Sequence, residues 1–180
     1  MMQRQIGIVG SWEDDLAPEI YRMAESAGRL VAERGGIVFT GAGRGVMTAA
    51  MRGAKKAGGL TVGLVPAENP ADYAHMGDDM DVRIMTGQGE LGKMAPLILS
   101  VDGVIAIAGG AGTLVELAMA YISAKPVVLM PVAGHTTAAI EPMLAAGYLD
   151  YRQITVFEFA GDAEQAVTRL YLRLSGQEPD

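Results

Sequence analysis

The residues that could do chemistry cluster where apolar runs empty into glycine. Residues 102 to 116 read Asp-Gly-Val-Ile-Ala-Ile-Ala-Gly-Gly-Ala-Gly-Thr-Leu-Val-Glu. Val104 to Ala108 has the composition of a buried strand, and a helical pattern begins at Thr113. A strand leaving through Gly109, Gly110 and Gly112 into a helix start is an anion-binding device. The first-turn N–H groups have no intrahelical acceptor, and glycine lets a ligand approach the backbone. Gly41-Ala-Gly43-Arg44-Gly45-Val-Met47 follows a second apolar run, and Gly10-Ser11 a first. In a parallel sheet all three exits share the carboxyl edge, where ligands bind. The expected ligand is a nucleotide or sugar phosphate held by Gly41 to Gly45 and Gly109 to Thr113, with Arg44 or Lys93 neutralising charge. Gly10 has a tight turn as its alternative reading.

Glu116 has two readings that the residues leave open. Thr113-Leu-Val-Glu116 fits a capping box, in which the threonine caps the helix and the glutamate returns to the cap N–H. A carboxylate one turn inside a phosphate-binding helix also lies close to the sugar that phosphate carries. There it would bind hydroxyls or stabilise positive charge at the anomeric carbon. Trp12, in the first strand-to-helix turn, is expected to pack over the helix start rather than form a binding wall.

Other chemistries find no support. The chain has no Cys and only His75 and His135, which removes thiolate sites and leaves little for a transition metal. Asp78, Asp79 and Asp81 lack calcium-loop spacing and read as a solvated loop; no metal site is expected. The spacing of Gly41, Gly43 and Gly45 is not the dinucleotide fingerprint, and neither a phosphate-loop lysine motif nor a serine elbow is present.

The elements that would position these residues alternate. Strands are expected at Ile6–Val9, Ile37–Thr40, Thr61–Val65, Asp81–Met85, Val104–Ala108, Lys125–Met130 and Ile154–Phe157. Between them lie helices from Leu16, from Val46, over Leu91–Ser100, from Thr113 to about Tyr121, over Thr136–Ala145, and over Ala163–Leu174. The small residues Ala49, Ala50, Gly53 and Ala54 call for close packing of the second helix. This pattern predicts one α/β domain over residues 1–180, a three-layer Rossmann-like parallel sheet of about seven strands with helices on both faces. At 180 residues and 50% hydrophobic composition the chain can bury a full core. The net charge of −7 argues against nucleic acid or anionic membranes as partners. Neither a secretory leader nor a membrane span is legible, so a cytoplasmic protein is expected.

The two glycine segments resemble the Rossmann-type family that includes the cytokinin-activating phosphoribohydrolases, the Lonely Guy proteins often mislabelled lysine decarboxylases, and the molybdenum-cofactor carrier proteins. The family pattern is G-G-x-x-G-[LV]-M, then P-G-G-x-G-T-x-x-E. The chain supplies Gly41 to Met47 and Ala108 to Glu116, with further similarity in Gly58 to Pro66, Thr86 to Gly89 and Lys125 to Val128. For the phosphoribohydrolases the resemblance implies cleavage of the N-glycosidic bond of a nucleoside 5′-monophosphate. Glu116 would be catalytic and Gly109 to Thr113 would hold phosphate. An arginine those enzymes use falls at Lys93 here, or at Gly92, and Ala108 replaces the proline. Lysine keeps the charge but loses the planar fork. The resemblance therefore implies first a binding protein for a nucleotide or the molybdenum cofactor, with the hydrolase and a purely structural or regulatory protein as alternatives. It also implies a homodimer or homotetramer; the apolar, Ala-rich helix Leu114–Tyr121 and the Met-rich helix Val46–Met51 are candidate interfaces, each with ordinary core as its alternative reading.

Overall fold

The computed structural model describes residues 3–69, 71, 79–144 and 146–177. Seven strands form one parallel sheet: β1 (Gln5–Gly10), β2 (Ile37–Thr40), β3 (Thr61–Val65), β4 (Val82–Met85), β5 (Gly103–Ile107), β6 (Val127–Met130) and β7 (Phe157–Phe159), in the order β4-β3-β2-β1-β5-β6-β7. This is the α/β Rossmann-like fold. The chain winds one way from β1 to β4 and the other way from β5 to β7. Order therefore reverses between β1 and β5, where Gly10 pairs with Ile107. β3 and β5 are buried at every position, as strands covered on both faces must be.

One face carries α1 (Pro18–Glu33), α2 (Val46–Lys56) and α7 (Ala163–Leu174), which pack Ile20, Ala24, Val46, Ala50 and Val167 against β1 and β5. Pro18 at the start of α1 costs no hydrogen bond. α1 and α2 touch backbone to backbone. A Cβ on Gly28 would stand 1.9 Å from the Ala50 carbonyl oxygen, and one on Gly53 would stand 1.9 Å from that of Glu25. The other face carries α3 (Gly89–Gly92), α4 (Met94–Ser100), α5 (Ala111–Ile122) and α6 (Thr136–Ala139), with Leu97, Ile98, Leu117 and Tyr121 in the core.

Several elements differ from their sequence-based expectations. The helix expected over Leu91–Ser100 is two short ones hinged at Lys93. The segment Thr136–Ala145 holds only α6 and a 3-10 turn at Glu141–Met143, where Pro142 cannot supply a helix N–H. β7 starts at Phe157, not Ile154, because its pairing runs from Val127 opposite Phe157. Asp81 precedes β4 rather than opening it. Its carboxylate accepts from the Thr61 N–H at 2.9 Å and pairs with Lys55. Asp79 pairs with Arg52 at 3.6 Å, so these acids tie β3 and α2 together instead of lying in a solvated loop. Asp78 and His75 lie outside the described residues. Val46, Met47 and Met51 are core, the alternative left open for that helix. Leu114, Val115 and Ile122 on α5 are exposed, as is Leu99 on α4.

Candidate functional site

At the carboxyl edge, beside the reversal of strand order, lies a cavity of 620 Å³. Its lining draws on all three glycine-rich exits: Gly10 from β1, Gly43, Arg44 and Met47 from the β2–α2 turn, and Gly110, Ala111, Gly112 and Thr113 from the start of α5. Lys93, Met94, Glu116, Trp12, Glu90 and Leu91 complete the lining. Gly10 must be glycine, because a Cβ there would lie 2.0 Å from the Ile107 carbonyl oxygen. Two alanines, Ala42 and Ala108, adopt left-handed φ of 54° and 55° where β2 and β5 end. That conformation is costly for a residue with a Cβ and tends to gather at functional sites.

α5 begins at Ala111 with Gly110 as its cap residue, two positions before the start expected from Thr113. Thr113 is therefore inside the first turn and caps nothing, and Glu116 has no part in a capping box. The N–H groups of Ala111, Gly112 and Thr113 find no acceptor among the described residues. A Cβ on Gly110 would meet nothing within 4 Å, and its φ of −121° suits any residue. Neither the backbone nor the protein's own packing requires glycine there. Gly110 and the three amides line the same cavity, at the positive end of a helix dipole. Gly109 is different: φ is 92°, and a Cβ would strike the Thr113 hydroxyl oxygen at 2.2 Å. It shapes the turn without lining the cavity.

Glu116 is 7% exposed and has no hydrogen-bond partner among the described residues. Burial lifts its carboxyl to about 7; the Lys93 charge pulls down against this and Glu90 pushes up. Lys93 is 4% exposed, a rare state for a lysine, and sits at the hinge between α3 and α4. Its ammonium donates to the Gly41 carbonyl at 2.7 Å and pairs with the Glu90 carboxylate at 2.6 Å. Of the two positions that the resemblance offers for an arginine, Lys93 lines the cavity and Gly92 does not. A cation and a carboxyl poised near neutrality share one wall. That arrangement can hold hydroxyl or N–H donors and can exchange a proton with a bound group.

The remaining expected site residues divide. Gly10, Gly43, Arg44, Met47, Gly110, Gly112, Thr113, Lys93 and Glu116 come together in the lining, whereas Ser11, Gly41, Gly45 and Gly109 stand behind it. Ser11 is turned to Glu13, to which its hydroxyl donates at 3.0 Å. Its carbonyl accepts from the Val46 N–H at 2.9 Å, so the first amide of α2 is already used by the protein. Arg44 reaches Asp14 at 2.6 Å in an exposed pair. Trp12 corrects the sequence reading. It does not pack over the helix start, being 70% exposed, and it lines the cavity. Glu90, Leu91, Met94 and Ala111 were not legible as site residues. Only the placement of Lys93 beneath Gly41 reveals that the α3–α4 hinge forms a wall.

Comparison with known proteins bears on this arrangement. An uncharacterized protein of Archaeoglobus fulgidus is 38% identical over 127 residues, 71% of this chain and 80% of that one. The molybdenum cofactor binding protein of Rippkaea orientalis is 32% identical with a TM-score of 0.80, over 97% of this chain and 99% of that one. The molybdenum cofactor carrier protein of Chlamydomonas reinhardtii is 30% identical with a TM-score of 0.79, over 98% of this chain and all (100%) of that one. The sequence model of the SLOG cluster4 family matches residues 3–160, well past the region in which the motifs were legible. On that match the chain belongs to the SLOG cluster4 family.

Proposed function

We propose that this protein binds a nucleotide or a phosphorylated cofactor, with the phosphate on the α5 N-terminus and the organic half toward the α3–α4 hinge. One observation carries the reading: three amides and a buried carboxyl, none with a hydrogen-bond partner among the described residues, line the same 620 Å³ cavity. A cavity of that size holds a small ligand. The likeness to proteins that bind or carry the molybdenum cofactor, whose pterin bears a phosphate, favours a carrier role with that cofactor as one occupant. The residues fit the phosphate end of such a group through the α5 amides and the space beside Gly110. The ligand is small, nucleic acid is not a partner, and the protein works in the cytoplasm as a homodimer or homotetramer. The exposed Leu99, Leu114 and Ile122 on α4 and α5 supply an apolar face for that assembly. Mass spectrometry of ligand released from freshly purified protein tests the binding reading directly. A phosphate-bearing ligand is expected. An empty protein that is also not stabilised thermally by ribose 5-phosphate, AMP or GMP would overturn it.

A second reading rests on Glu116 alone. A carboxyl held near 7 within a turn of the phosphate site suits hydrolysis of a nucleoside 5′-monophosphate, with the carboxylate stabilising an oxocarbenium-like transition state. Free base appearing from AMP, with a rate that rises as pH passes through about 7 and is lost in Glu116→Gln, is the expected sign of that activity. Binding without base release leaves the carrier role.

A further inference from the structure

One cavity is lined both by polar groups, the amides of Ala111, Gly112 and Thr113 and the buried Glu116, none with a hydrogen-bond partner among the described residues, and by the large apolar side chains Trp12, Met47, Leu91 and Met94. Tryptophan is among the residues most favoured by burial, yet Trp12 is 70% exposed. The space beside Gly43 is filled by Met47, whose methyl would lie 2.1 Å from a Cβ there. The thioethers of Met47 and Met94 and the Leu91 side chain give the same lining an apolar share that offers dispersion and no strong hydrogen bonds.

We infer that Trp12 is the stacking platform for a planar heteroaromatic ring joined through a short polar linker to the phosphate held by α5, and so sets specificity for ring-bearing over ring-free phosphates. This rests on the phosphate-binding reading above and adds the class of the organic half. The linker's hydroxyl or N–H groups would donate to Glu116. A flat ring on an indole face gains dispersion and excludes water from both surfaces. Such stacking changes affinity by roughly tenfold or more per ring and tolerates differences in ring identity, because every heterocycle has a π-face.

Trp12 is the only tryptophan among the 180 residues, so its emission reports on this wall alone. The experiment titrates the protein with inorganic phosphate, ribose 5-phosphate, AMP and GMP, following Trp12 emission and, by calorimetry, affinity. AMP and GMP are expected to quench the emission and to bind at least tenfold more tightly than ribose 5-phosphate. Trp12→Ala should lose that advantage while its affinity for ribose 5-phosphate stays within threefold. Trp12→Phe should restore most of the advantage, since its ring keeps a face. If all four ligands bind but Trp12→Ala leaves the preference for AMP and GMP intact, the platform is overturned and the phosphate site survives. If none binds, both readings fall. Circular dichroism of the variants confirms folding, which substitution of so exposed a residue should not disturb.

Discussion

The turns after β2 and after β5 look alike as strings of residues and differ as structures. Gly41 to Gly45 feeds α2, yet the first amide of α2 is taken by the Ser11 carbonyl and that of Met47 by the Arg44 carbonyl. Gly45 has φ 56° and ψ −121°, and a Cβ there would lie 2.5 Å from the Ser11 carbonyl oxygen. Its glycine serves the protein. Gly110 meets nothing, has an ordinary φ, and precedes three amides with no acceptor. Its glycine is superfluous to the fold. Glycine at a strand exit therefore carries two meanings, separated by asking what a methyl group would touch.

Substituting both sites would break or sharpen this contrast. Gly45→Ala should have the largest effect, a loss of roughly 2–5 kcal/mol from backbone strain and overpacking. A fall in melting temperature of roughly 5–15 °C would register it. Unchanged melting would mean that this turn relaxes freely. Gly110→Ala should leave melting within about 2 °C of the parent, because the site can accept a methyl group without strain. Its affinity for phosphate-bearing ligands should fall by about tenfold or more, since one well-placed hydrogen bond to a charged group is worth roughly 1.5–3 kcal/mol. Equal affinity in calorimetry would assign the open space to nothing.

Glu116→Gln probes the buried wall through pH. The folded protein holds the Glu116 proton up to about 7, against 4.5 for an ordinary glutamate. The stability associated with that proton is complete below about pH 4.5 and is lost as pH rises through about 7. The variant should lack this decline and be more stable than the parent by roughly 3 kcal/mol at pH 8 without ligand. Urea unfolding between pH 4 and pH 8 measures it, and parallel curves for the two proteins would contradict the burial. Arg44→Ala is the mildest: its exposed pair with Asp14 contributes less than about 1 kcal/mol, so only a several-fold loss of anion affinity in low salt is expected.

The sheet was largely legible because five of its strands are short, apolar and bounded by glycine or proline, and the glycine exits named most of the cavity. Misreadings had local causes. Ile154 to Phe157 has β-branched residues, but pairing with β6 selects Phe157 to Phe159 instead, a tertiary choice that propensity does not contain. Thr113 and Glu116 satisfy a capping pattern, while α5 begins two residues earlier, at Ala111. The sequence marks Lys93 as a charge for the phosphate and as a match to an arginine, but not as a buried group. Its burial depends on the Gly41 carbonyl 52 positions away, a pairing with no sequence signature. The indole of Trp12 was assigned to packing because tryptophans usually pack.

The order of the sheet also fixes when the binding edge can exist. β1 lies between β2 and β5, and the bond from the Gln5 N–H to the Asp102 carboxylate, 2.8 Å long, spans 97 positions. At a ribosomal rate of roughly 5–20 residues per second, the first strand waits roughly 5–20 s for the neighbour on its second side. β1, β2, β3 and the α1–α2 pair can assemble meanwhile, with one flank of β1 unzipped and open to wrong partners. Gly10 meets Ile107 only when that flank closes, so the mouth of the cavity cannot form from the first half of the chain alone.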